Sequence, residues 1–238
     1  MNGDESLVGN AFTGALKLLL SLDPALFRVI ALSLQVSLSA VAIATALALP
    51  LGAAVALFRF PGRGLVVVAL NALMGLPPVV VGLAVYLLLS RAGPLGAAGL
   101  LFTPSAMVIA QCVLVLPIVA ALTRQTVSDL WEEYHEQLQS LGSSRARAIP
   151  TLLWDGRFRL ITAVLAGFGR ASAEVGAVLI VGGNIDGFTR VMTTSIALET
   201  SKGNLGIAMA LGIVLLALIG VINGLAYGIG ELARRHYG

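Results

Sequence analysis

Arg170 and Glu174 are the only charged side chains in an apolar run from Leu160 to Ile185. A charge at the centre of a bilayer costs about 2.5–3.5 kcal/mol on insertion scales, so such residues face protein or water rather than lipid. Four residues apart, the two share one helix face and can pair, although Arg before Glu is the weaker order. Two roles are open to them. One is a structural pair that ties its span to neighbouring helices. The other is a gate, with Arg170 offering positive charge to a passing anion. Pro77-Pro78, within LMGLPPVVVGL, is a second feature of this kind. Consecutive prolines remove two amide donors and kink a helix, which membrane helices tolerate where neighbours or a cavity satisfy the freed carbonyls. That kink is either structural or a bend lining a pathway.

No residues here form a catalytic constellation, and the chain is expected not to be an enzyme. His135 and His236 stand without a ligand cluster. The single Cys112 excludes an internal disulfide and any cysteine-rich metal site, and reads as a small packing residue. No metal or cofactor is expected on this chain. No G-x-x-x-x-G-K-[ST] motif occurs, and the two lysines, Lys17 and Lys202, lie in the wrong contexts for a phosphate loop. If nucleotide powers this protein, another chain must bind it.

The elements that hold these residues are membrane spans. The sequence is 58% hydrophobic and 11% charged, against about 45–50% and about 25% for a soluble domain. Uncharged runs at Val29–Phe58, Leu65–Ser90, Pro104–Thr123 and Gly203–Gly230 each meet or exceed the ~20 residues needed to cross a bilayer. With the run from Leu160, they predict an all-α integral membrane protein of about five transmembrane helices. Residues 7–22, interrupted by Lys17, predict an interfacial helix, with a sixth span as the alternative. The acidic N-terminus lacks a signal-peptide pattern. Residues 93–103 read as a loop. Gly220, Gly224 and Gly228 form one small-residue ridge, and Ala163, Gly167 and Ala171 form another; both predict close packing within the chain. A pI of about 9.4 comes from a net charge of only +3, with arginines at span ends, so nucleic acid is not an expected partner and membrane lipid is.

Residues 124–159 interrupt this apolar chain and hold ten of its 27 charged side chains. Asp129 to Glu136 is acidic and Arg145 to Arg159 basic. Leu138 and Leu141, three apart, predict one side of a short helix that Gly142 can end in a left-handed conformation. A polar helix between spans has no lipid-facing role, so it is either a solvated loop or a knob that docks in the aqueous phase. Cytoplasmic loops carry the excess of Lys and Arg. Placing this segment inside puts nine basic residues in the cytoplasm (including Arg59, Arg63, Arg234 and Arg235) against five outside, which predicts an external N-terminus and a cytoplasmic C-terminus.

The stretch HEQLQSLGSSRARAIPTLLWD resembles the cytoplasmic signature loop of ABC importer permeases of the type I fold. That pattern is Glu-Ala-Ala, three residues, Gly, about nine residues, then Ile-x-Leu-Pro. Glu136 and Gly142 stand at the Glu and Gly positions, while Gln137-Leu138 replace the alanines and Leu152-Leu-Trp-Asp155 replaces the close. LPPVVVGL and GFGRASAEVGAVLIVGGNIDGFTRVMTTSIALETSKGN look like the molybdate and tungstate branch, most similar to tungstate permeases, with Ala173 where a glycine is usual. The resemblance implies a type-1 transmembrane domain over residues 29–231, an external segment over 1–28 and a cytoplasmic tail over 232–238. It implies ATP-driven import of an oxyanion by alternating access: tungstate, or alternatively molybdate or another ABC import substrate. A passive or ion-coupled anion transporter is the alternative from another class. The implied partners are a second copy, two cytoplasmic ATP-binding subunits that hold ATP and magnesium, and an external oxyanion-binding protein. Glu136, Gln137, Leu138, Leu141 and Gly142 would couple to the ATPase, and Pro77, Pro78, Arg170 and Glu174 would serve the pathway or gate. Asn184, Thr189 and Arg190, followed by Thr193, Thr194 and Ser195, would lie outside, where they either line the substrate's route or are simply solvated.

Overall fold

The computed structural model describes Thr13 and residues 24–237, with side chains up to residue 228. The interfacial helix expected over residues 7–22 lies outside the described residues, as do the side chains of Arg234 and Arg235. Every regular element described is helical: α1 (Pro24–Leu57), α2 (Arg63–Leu73), α3 (Pro78–Leu89), α4 (Pro104–Ser140), α5 (Arg145–Asp155), α6 (Arg157–Ser172), α7 (Gly176–Gly182), α8 (Met192–Ser201) and α9 (Leu205–Tyr237). α1, α3 and α4 open on a proline, where the missing amide hydrogen costs nothing and the fixed φ suits the first turn. The loop expected over 93–103 is present, with a single 3-10 turn at Gly96–Ala98.

Among the described residues, α1, α4 and the Leu205–Gly228 part of α9 are long and apolar enough to cross a membrane; counting the pairs α2–α3 and α6–α7 as one span each gives five. Those two pairs depart from the sequence expectation, because each is two helices separated by a short break, the first where a kink is expected and the second where one continuous helix is. α2 ends at Leu73, four residues before Pro77, as Met74, Gly75 and Leu76 close it with amide bonds to Leu70, Ala72 and Leu73. A residue preceding proline is pushed out of the helical region, so the prolines start the next helix instead of bending the last. The third span also differs. α4 continues for 17 residues beyond Thr123, since nothing from Arg124 to Ser140 breaks a helix.

The helices divide into two units. The first comprises Met1–Leu38, Pro78–Gln111 and Ser172–Gly224, and the second Ser39–Pro77, Cys112–Ala171 and Leu225–Gly238. Both helix breaks lie at points where the chain passes from one unit to the other.

In the first unit α3 and α7 touch backbone to backbone: a Cβ on Gly82 would sit 2.7 Å from the Ala177 Cα. Met192, Ala210 and Val214 form a core that Val29 and Ile30 of α1 pack against. The second unit packs the C-terminal half of α1 on α4 through Gly52, whose Cβ would fall 2.5 Å from the Ala120 carbonyl oxygen. Ala53, Leu57, Val127, Leu130, Ala148 and Leu152 make its core. The Ala163/Gly167/Ala171 ridge is buried as expected, with Gly167 against Val115 and Val119. The glycine ridge of α9 is a correction. A Cβ on Gly220, Gly224 or Gly228 would meet nothing within 4 Å, so that face packs against nothing among the described residues.

Candidate functional site

The corner between α4 and α5 holds the signature-loop residues, all in the second unit. Glu136, Gln137 and Leu138 belong to the last turn and a half of α4, not to a separate short helix. Gly142 follows with φ +72°, donating to the Gln139 carbonyl (2.9 Å), while the Ser143 amide donates to Leu138 (2.9 Å). These two bonds form the motif that closes a helix on a left-handed residue. Ser144 then caps α5 by accepting from the Arg147 amide. The chain therefore turns within four residues from one helix into another.

The two leucines part company at this corner. Leu138 is half-buried against the Val127, Leu130 and Ala148 core, whereas Leu141 is 82% exposed. They make no common face, because the helix ends between them. The partner of Leu141 in exposure is Trp154 at 71%, with the Arg157 guanidinium 4.9 Å from its ring. In the sequence Trp154 stands out only as a departure from the signature pattern. Its placement in the last turn of an amphipathic α5, opposite buried Ala148 and Leu152, was the available signal. Asp129 and Arg159 pair at 3.8 Å on the surface between α4 and α6, an exposed contact worth little.

Arg170 and Glu174 do not share a helix face, since α6 ends at Ser172 and Glu174 stands in the break before α7. Arg170 is half-buried in the last turn of α6. Glu174 is 2% exposed; its Oε1 accepts from the Ala177 amide (2.9 Å), and its carbonyl accepts from the Thr193 hydroxyl (2.8 Å). The carboxylate thus satisfies one of the orphan donors at the start of α7. A structural role for Glu174 is built into the break.

Asn184 and Arg190 occupy the 183–191 loop, entered through two left-handed residues, Gly183 (φ +71°) and Asn184 (φ +50°). Arg190 pairs with Asp186 at 3.0 Å and is one-quarter exposed. Thr189 is neither solvated nor free to line a route, the two roles its loop position suggests. It is fully buried, donating to the Gly182 carbonyl (2.6 Å) and accepting from the Ile185 amide (2.9 Å), so it ties the loop to the end of α7. Thr193, Thr194 and Ser195 are buried as well. Thr194 accepts from the Val191 amide to start α8. At the far end of α8, hydrogen bonds from Lys202 and then Asn204 hold the Glu199 carboxyl below its ordinary value.

Comparison with known proteins bears on the whole chain. The tungstate uptake permease TupB of Peptoclostridium acidaminophilum is 42% identical over 224 residues, covering 94% of this chain and 98% of that protein. A probable anion ABC transporter permease of Haloferax volcanii is 42% identical over 205 residues, 84% of this chain and 88% of its own. TupB of Campylobacter jejuni is 40% identical over 162 residues, 67% and 68% of the two chains. The chain belongs to the ABC transporter permease family. No family model matches it. The permease is a multi-pass protein of the cytoplasmic membrane, consistent with its apolar helices. Its relatives are transporter subunits rather than enzymes.

Proposed function

We propose that this permease is the membrane-spanning subunit of an ATP-driven importer that carries tungstate across the cytoplasmic membrane. The observation that carries this reading is its 42% identity to a tungstate uptake permease over 94% of the chain. Two copies of the chain form the pathway, two ATP-binding subunits holding ATP and magnesium dock from the cytoplasm, and an external oxyanion-binding protein delivers the substrate. The N-terminus is outside and the C-terminus inside, as the distribution of arginines favours.

The α4–α5 corner is the coupling element. Exposed Leu141 and Trp154 supply apolar contact area, and the rigid closure at Gly142 lets a push on the corner reach α4 without being absorbed by a slack loop. The two helix breaks support alternating access, since each lies where one packed unit gives way to the other. Arg170 and Glu174 flank the second break: Glu174 shapes the start of α7, and Arg170 holds the positive charge on the gate side.

Deleting the gene for this chain tests the reading in the organism that carries it. Cellular tungsten at limiting tungstate is expected to collapse and to return with the intact chain. Unchanged tungsten, with sulfate or molybdate uptake lost instead, would reassign the substrate. Uptake that persists without ATP would favour a passive or ion-coupled carrier.

A further inference from the structure

A cavity of about 380 Å³ lies in the second unit beside the turn that joins α1 to α2. Three arginines line it, Arg59, Arg63 and Arg145, with Ser128 and Gln139 as further hydrogen-bonding groups and Glu132 as the one carboxylate. Arg63 is fixed in place: its Nε donates to the Val55 carbonyl (2.7 Å) and its Nη2 to the Ala56 carbonyl (3.2 Å), closing the last turn of α1. Arg59 and Arg145 have no ion pair among the described residues. Three guanidinium groups around one small volume repel each other, and a single carboxylate does not balance them. A tetrahedral oxyanion relieves that repulsion and suits the forked donors of arginine.

The surroundings of the cavity say where such an anion comes from. Phe58 and Phe60, on either side of Arg59, are 38% and 40% exposed, and Leu65 and Val68 of α2 are 75% and 64% exposed. Leu65 and Val68 are three apart, on one face of the helix that starts at Arg63. A charged cavity bordered by bare apolar side chains matches the two ends of a phospholipid, and basic pockets beside membrane helices hold anionic headgroups. We propose that this cavity is a phosphate-group site, filled by the phosphodiester of an anionic phospholipid whose acyl chains lie along α2.

The test uses the full chain in nanodiscs of phosphatidylcholine containing a minor share of phosphatidylglycerol, with lipids retained after extraction counted by native mass spectrometry. Wild-type protein is expected to keep phosphatidylglycerol in preference to phosphatidylcholine. Arg59→Gln with Arg145→Gln should lose that preference by about fivefold per arginine removed. The helix-closing bonds of Arg63 stay in place. Lysine at both positions should restore most of the preference, and Arg147→Gln, a basic residue that does not line the cavity, should leave it unchanged. Inorganic phosphate is the second arm. If it displaces the lipid in the wild type and not in the double variant, the site takes a free oxyanion as well as a headgroup. Equal lipid retention in the wild type and the double glutamine variant, with no effect of phosphate on either, would overturn the proposal.

Discussion

Gly142 is the point where a single substitution reads the account most finely. Its φ of +72° lies in the left-handed region, and a Cβ built there would meet nothing within 4 Å. The cost of any side chain is therefore backbone strain alone. For alanine that cost is about 1 kcal/mol, enough to raise local opening about fivefold. Asparagine tolerates this conformation better and should cost a few tenths. Proline fixes φ near −65° and deletes the amide that donates to Gln139, for a cost of about 3 kcal/mol or more. Amide hydrogen exchange over residues 137–148 should rise in the order Gly, Asn, Ala, Pro. Tungstate uptake by the complete transporter should fall in the same order, with the proline variant inactive yet still inserted in the membrane. An active proline variant with native exchange protection would refute the rigid-corner reasoning.

Glu136 places a carboxylate near the C-terminal end of α4, where the helix dipole disfavours it. Glu136→Lys should thus leave thermal stability equal or slightly higher while abolishing transport, and a fall in both would mark the residue as merely structural. Gly52→Ala forces a Cβ against the Ala120 carbonyl and the Thr123 Cβ, neither of which can swing aside. A destabilisation of about 1–3 kcal/mol is expected, measured as a lower melting temperature of the purified chain. Thr189→Val strands the buried Gly182 carbonyl, at about 1–3 kcal/mol, and removes the acceptor of the part-buried Ile185 amide. Thr189→Ser keeps both bonds and should melt close to wild type, whereas two equal melting temperatures would remove Thr189 from its tying role.

Much of this molecule is legible in its sequence because lipid permits so few backbone arrangements. An uncharged run long enough to cross is a helix, and α1, α4 and α9 start within about five residues of where hydropathy places them. What hydropathy cannot report is whether such a run is one helix or two. Leu65–Ser90 and Leu160–Ile185 are continuous in polarity, yet the first is divided by the geometry of residues before proline and the second by a carboxylate that caps a new helix start. Spacing also misled at Leu138 and Leu141, because a three-residue interval puts side chains on one face only while the helix lasts. Thr189 shows the opposite failure. A polar residue in a loop looks solvated, but the loop folds back and spends the hydroxyl on its own backbone.

On the proposed function, nucleotide energy delivered through the α4–α5 corner drives tungstate through this permease. The most direct measurement is uptake of labelled tungstate into proteoliposomes carrying the permease with its ATP-binding subunit and oxyanion-binding protein. Uptake is expected to require ATP and to vanish with Gly142→Pro. Tungstate entry by the permease alone, or entry indifferent to ATP and to that substitution, would contradict it.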